Sequence, residues 1–205
     1  MDEQPGSLGA AREVENLIEL MAKLPGLGRR SARRAVLQMV NKRESLMEPM
    51  SKLMLDVCQK VRRCDLCGNI AVESICNICS NPRRDPSKLC VVADVSDLWA
   101  MERANTFNGR FYVLGGILSA LDGVGPEDLN IPKLINRIKT DPINEIILAL
   151  GATINGQTTA HYIADQLTNA DVEITSLAHG MPIGGELDYL DEGTIEVAFR
   201  HRKEF

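Results

Sequence analysis

Four of the six cysteines fall in one stretch, CDLCGNIAVESICNIC, from Cys64 to Cys79. They form two Cys-x-x-Cys pairs, Cys64 with Cys67 and Cys76 with Cys79. A Cys-x-x-Cys turn aims two thiolates at one point. Two such turns facing each other supply four sulfurs at the corners of a tetrahedron, the arrangement Zn²⁺ takes in a closed structural site. The loop between the pairs is too short and polar to bury a core, so metal binding would supply its folding energy. No fifth ligand or spare acid lies nearby, so the expected zinc, one per chain, is structural and not catalytic. Two disulfides or a redox pair are the other readings of the same spacing.

A second stretch, KLPGLGRRSARRAV, carries a different chemistry. Gly26 and Gly28 leave a short hairpin backbone without side chains, and a helix follows it. The N–H groups of the hairpin and of the helix start can approach a phosphate closely. Arg30 and Arg34 are four residues apart on that helix, so their guanidiniums point the same way, and Arg29 and Arg33 repeat the spacing. With Lys23 these seven positions are candidate DNA contacts: Lys23, Gly26, Gly28, Arg29, Arg30, Arg33 and Arg34. Amides and arginines grip phosphates without reading bases, so such a site is sequence-independent. A plain interhelical turn is the alternative for Pro-Gly-x-Gly.

The elements that must hold these groups follow from periodicity. Residues 1–11 read as disordered. Val14, Leu17, Ile18, Met21 and Leu24 make a helical stripe, and Ala32, Ala35, Val36, Met39 and Val40 make a second one after the hairpin. Residues 44–62 read as a third helix leading into the cysteine loop, with Val57, Cys58 and Val61 on its apolar side. Residues 81–86, turn-rich, are the expected domain boundary. Beyond them short apolar strands (88–93, 110–114, 145–150, 172–175) alternate with helices (96–103, 131–139, 156–167), which predicts a mostly parallel sheet covered on both faces. Ser96 is the expected cap of the first of these helices. Cys90 is expected in the core.

Composition sets the partners. The chain has 205 residues and a net charge of −5, with 44% apolar and 4% aromatic residues. From Lys23 to Lys88 there are 14 Lys/Arg against 6 Asp/Glu, while the rest holds 9 against 22. A basic module joined to an acidic one points to a polyanion partner. No apolar run reaches a membrane span, and the acidic N-terminus lacks the apolar segment of a signal peptide. Paired thiols in such a chain favour metal over disulfides and a cytoplasmic, nucleoid-associated location.

The order of these parts resembles the bacterial RecR family of recombination mediators. The matching strings are the hairpin and the cysteine loop, then NPRRDPSKLCVV, CVVADVSDLWAMERA, YVLGGILSALDGVGPEDLNI and AHGMPIGGELDYLDEGTI, together covering roughly Glu15 to Arg200. The resemblance implies a multidomain α+β chain. Its parts are a disordered start (1–11), a helix-hairpin-helix region (12–62), a four-cysteine zinc finger (63–81), an α/β Toprim domain (87–183) and a C-terminal oligomerisation segment (184–205). It implies DNA binding in recombinational repair, as a ring-like clamp working with RecO and RecF.

Toprim enzymes, primases, topoisomerases or nucleases, are the rival class. Their chemistry needs a Glu after the first strand and an Asp-x-Asp pair after a later one to hold Mg²⁺. Here Ala93, Asn155 and Gln157 stand at those places, where members of the resembled family usually carry acids. Asp94 is expected to face away from Ala93. The reading is therefore no enzyme and no catalytic residue. There is no P-loop. Leu187–Asp191 reads as a strand ending in an acid. His161, His179 (before the 180–182 turn) and His201 have no cysteine or acidic partner at catalytic spacing. A protein-only adaptor with a basic face is a third class. For assembly, a dimer pairing into a tetramer is expected, with the first helix at one interface and residues 185–199 at the other.

Overall fold

The computed structural model describes residues 12–178, 180–181, 184–200 and 202; residues 1–11, His179 and His201 lie outside them. The chain divides into two compact units, 1–61 and 62–205.

The first unit is helical. Helix α1 (Arg12–Met21) and helix α2 (Arg29–Asn41) are joined by the glycine hairpin. Ile18 from α1 meets Ala32, Val36 and Met39 from α2, with Val14, Leu17 and Met21 packed around them. The apolar stripe of α1 is thus covered within its own chain. At the hairpin, the Leu27 N–H donates to the Leu24 carbonyl at 3.0 Å. Pro25 and Gly26 lie between them, and Gly26 has φ +76°, a type II turn whose third position favours glycine. One π-helical turn (Arg43–Met47) then leads into α3 (Glu48–Lys60).

Helix α3 departs from expectation. Val57 and Cys58 are exposed, and so are Leu53, Met54 and Leu55. No residue of α3 is buried, because the described residues bring no partner layer to it.

The second unit is an open four-stranded sheet, all parallel, in the order β4-β3-β5-β6. The strands are β3 (Asp85–Val92), β4 (Gly109–Val113), β5 (Glu145–Ala149) and β6 (Glu173–Ser176). Alternation along β3 sorts its two faces. Leu89 and Val91 point to the side covered by α6 (Ile131–Thr140) and α7 (Ile154–Gln166). Cys90 and Val92 point to the side covered by α5 (Val95–Ala104) and the cysteine loop. That loop contains the two-residue strands β1 (Arg62–Arg63) and β2 (Ile70–Ala71) and the short helix α4 (Asn77–Ser80).

Three further expectations change. The chain divides between Val61 and Arg62, not at 81–86: the cysteine loop shares one apolar cluster with Val92, Leu98 and Phe111, so it is part of the sheet unit. The cap of α5 is Asp94, not Ser96. Its carboxylate accepts from the Ser96 N–H, and its own N–H donates to Asp97 in a capping box. Leu187–Tyr189 is a 3₁₀ turn, not a strand, and it precedes α8 (Glu192–Arg200).

Candidate metal centre and nucleic-acid interface

Cys64 and Cys67 come from the turn after β1, Cys76 and Cys79 from the start and body of α4. All four are buried, and their sulfurs lie within 4.8 Å of one another. Four sulfurs bound at about 2.3 Å around one centre stand roughly 3.8 Å apart, so the cluster needs little movement to close on an ion. The Cys67 and Cys76 sulfurs are already 3.6 Å apart. Backbone donors address the sulfurs: the Cys76 N–H lies 3.3 Å from Cys64 Sγ, and the Asn69 N–H lies 3.5 Å from Cys67 Sγ. Burial works to raise the Cys64 pKa, but N–H groups of Cys76, Cys67 and Leu66 outweigh it and hold the thiol at about 7. Cys67 is pushed far up by its hydrogen bond to Cys79 and by burial, and Cys76 is raised by burial. Burial and neighbouring thiols keep the protons on Cys67 and Cys76, which a cation would displace. These residues fit a metal ion.

The loop is fastened to the sheet on several sides. The Cys67 carbonyl accepts from the Val113 N–H at 2.8 Å, and the Leu66 carbonyl accepts from Arg137 at 2.8 Å. The amide oxygen of buried Asn69 accepts from the Ile70 N–H and from the Trp99 indole at 3.2 Å. Gly68 has φ +75°, and a Cβ there would stand 3.3 Å from the Val113 carbonyl. The remaining thiols differ: Cys90 is buried in β3, where burial lifts its pKa to about 12, and Cys58 is exposed on α3.

The hairpin residues are presented openly. Lys23, Gly26, Gly28, Arg29, Arg30, Arg33 and Arg34 are all exposed. Gly28 is the N-cap of α2 and gives no side-chain cap; a Cβ at Gly26 or Gly28 would meet nothing within 4 Å. The first N–H groups of α2 are therefore open, beside arginines that the positive end of the helix dipole disfavours. The four arginines are not equivalent. Glu15 holds Arg29 and Arg33, each at 3.7 Å. Lys23, Arg30 and Arg34 have no ion pair among the described residues. Spacing alone gives the two pairs equal weight; only packing of α1 on α2 brings Glu15 to one of them.

On the sheet unit, Ala93 follows β3, while Asn155 and Gln157 lie in the first turn of α7, capped by Thr153. Asp94 is occupied by its capping box. His161 is exposed on α7. No helix among the described residues is long and apolar enough to cross a membrane.

Comparison with known proteins matches three stretches of the chain. Residues 14–58 match the RecR helix-hairpin-helix family, 87–178 the Toprim domain, and 180–203 the RecR C-terminal family. The chain is 60% identical to the recombination protein RecR of Ruegeria pomeroyi over 96% of this chain and 98% of that one. It is 58% identical to that of Bartonella bacilliformis over 94% and 96%, and 58% identical to that of Cereibacter sphaeroides over the full length of both.

Proposed function

The chain belongs to the RecR family of recombination proteins, and from that premise we propose that it is a non-enzymatic DNA-binding protein of recombinational repair. The hairpin unit grips the DNA backbone without reading sequence. The observation that carries this reading is the uncapped start of α2, with Arg30 and Arg34 exposed and without an ion pair among the described residues. Lys23 and the open backbone at Gly26 and Gly28 complete the grip, and Arg29 and Arg33 join it when they leave Glu15. Replacing Arg30 and Arg34 by Ala together is the test. Binding falls for all sequences alike, and the slope of log affinity against log salt flattens by about 0.9 per lost contact. Unchanged affinity and slope would move the site elsewhere.

The four cysteines hold one structural Zn²⁺. Cys64, Cys67, Cys76 and Cys79 supply thiolates only, which favours a soft tetrahedral ion. Its chemistry here is to tie β1, α4 and the sheet edge together. Metal analysis of the purified protein decides the identity.

Against the Toprim-enzyme reading stand the neutral side chains at Ala93, Asn155 and Gln157, which hold Mg²⁺ poorly, and the engagement of Asp94 in a cap. A divalent-dependent nicking or relaxation assay is expected to show no activity.

The chain works as an oligomer that surrounds DNA and recruits RecO and RecF, in the cytoplasm at the nucleoid. The support for assembly is exposed apolar surface: Leu53, Met54, Leu55 and Val57 on α3, and Leu187, Tyr189 and Phe199 near the C-terminus. Helix α3 offers the N-terminal unit a second candidate interface beside α1, whose Ile18 is spent on α2. Several hairpins around one axis multiply weak contacts through effective concentration. Light scattering that gives a monomer at all concentrations would remove the ring.

A further inference from the structure

We propose a second phosphate-binding site on the sheet unit, at the seam between the cysteine loop and α6, with Arg63 and Lys133 as its cations. A cavity of about 440 Å³ opens there. A second hollow, of about 530 Å³, adjoins it along α6, and the two share Asp65, Leu66, Tyr112 and Lys133 as walls.

The wall chemistry decides what the seam can take. Lys133, Asn136, Arg137 and Thr140 line the second hollow at positions i, i+3, i+4 and i+7 of α6. This is the polar face of the helix; Leu134 and Ile138 occupy the opposite, buried face. A hollow lined by such a stripe suits a polar ligand, not an apolar peptide.

The charges decide its sign. Asp65 is paired with Arg62 at 3.2 Å, and Asp141 with Arg137 at 3.1 Å. Arg137 is further fixed on the Leu66 carbonyl and beside the Tyr112 ring. Two cations remain uncompensated. Among the described residues, Lys133 has no ion pair, and the one partner of the Arg63 guanidinium is the Gly68 carbonyl, at 3.2 Å. They come from elements far apart in sequence, yet both line the same cavity. Two like charges on the wall of one cavity favour a positive potential there, which an anion relieves. Two cations at one concavity, with polar groups beside them, match a phosphate better than a single carboxylate.

The phosphate can be that of a nucleic-acid backbone or of a free nucleotide. The first source rests on the DNA-binding reading above; the second does not. The site and the hairpin belong to different units of the chain.

The test uses the full chain, followed by NMR at the backbone amides of Gly68, Lys133 and Arg30. A single-stranded oligonucleotide is titrated in one arm and inorganic pyrophosphate in the other. Shifts at Gly68 and Lys133 in both arms mark a free-phosphate site. Shifts with the oligonucleotide alone mark a strand-backbone site. Lys133→Gln, on an exposed helix position, leaves the fold intact and weakens either response. Lys133→Arg restores it. For the strand source, Lys133→Gln also lowers the salt slope of binding to the single strand by about 0.7. Shifts at Arg30 without any at Gly68 and Lys133 overturn this proposal and leave the hairpin reading standing. An Arg30 amide silent towards the oligonucleotide counts against the hairpin instead. A Lys133→Gln response equal to that of the parent chain also overturns the site.

Discussion

Replacing Glu15 by Gln sets stability and DNA affinity against each other. The Glu15 carboxylate stands 3.7 Å from both Arg29 and Arg33, whose side chains are 65% and 52% exposed against its own 26%. Each is a surface ion pair worth about 0.2–1 kcal/mol. Glu15 also lies in the first turn of α1, where the helix dipole favours a negative charge by about 0.3–1 kcal/mol. Gln keeps the shape and removes the charge, so the helix pair loses about 1–2 kcal/mol. DNA responds in the opposite direction. If the hairpin grips the DNA backbone as proposed, Arg29 and Arg33 of the parent chain must share themselves between Glu15 and a phosphate. In Glu15→Gln both are free, and a carboxylate that repels the backbone is gone. If each arginine then neutralises one phosphate in full, the salt slope steepens by up to about 1.8. Fluorescence anisotropy with a labelled duplex across a salt series reads the slope, and urea unfolding reads the stability. Affinity that falls in step with stability, or a slope no steeper than the parent's, would refute the competition between Glu15 and DNA.

The other predictions concern the sheet unit. Gly68→Ala forces a left-handed backbone on an L residue and pushes a methyl to 3.3 Å from the Val113 carbonyl; a loss of about 1–3 kcal/mol is expected in thermal unfolding, with weaker metal retention. Chelating the metal unfolds the sheet unit as a whole, because the cysteines share a cluster with Val92, Leu98 and Phe111. The single tryptophan, Trp99, bonds the loop through Asn69, so its fluorescence changes together with the far-ultraviolet dichroism, not before it. Burial pushes Cys90 and Tyr112 up to about 12 from ordinary values of 9.0 and 10.0. The unfolded chain releases these protons first, so stability holds below about pH 9 and falls as pH rises towards about 12; Cys90→Ala flattens the lower part of that fall in unfolding curves. Alkylation at concentrations where the chain is monomeric modifies Cys58, which is exposed, and spares Cys90 until unfolding.

Much of this is legible in the sequence because it is local. The paired cysteine spacing marks the metal cluster, and strand and helix periods mark a parallel sheet with helices on both sides. The glycine hairpin is visible because Gly26 carries a backbone conformation that few other residues take. What stays hidden depends on contacts distant in sequence. Helix α3 has an apolar composition that reads as a buried side, yet composition does not say whether the rest of the chain covers it. The cysteine loop looks separable since its ligands are local, but Val113 and Arg137, which fasten it, lie far downstream. Asp94 is judged by its position after a strand, whereas its hydrogen bonds belong to the helix that follows. Likewise the Glu15 pairing and the Arg63–Lys133 seam exist only after folding brings separate elements together.

The bond from the Val113 N–H to the Cys67 carbonyl bears on more than the anchoring of a loop. Strand β4 is an edge of the sheet, and Phe111, Tyr112 and Val113 are consecutive large residues on it. The metal loop lies where a further strand would add, so it acts as a cover for that edge. A chain made without metal would leave this apolar strand unfolded and uncovered, with unpaired backbone groups that template aggregation with other copies. With a metal bound, the cysteines would therefore guard solubility during synthesis as well as shape. Scarcity of metal would remove the protein by precipitation before it could be read as a loss of DNA affinity.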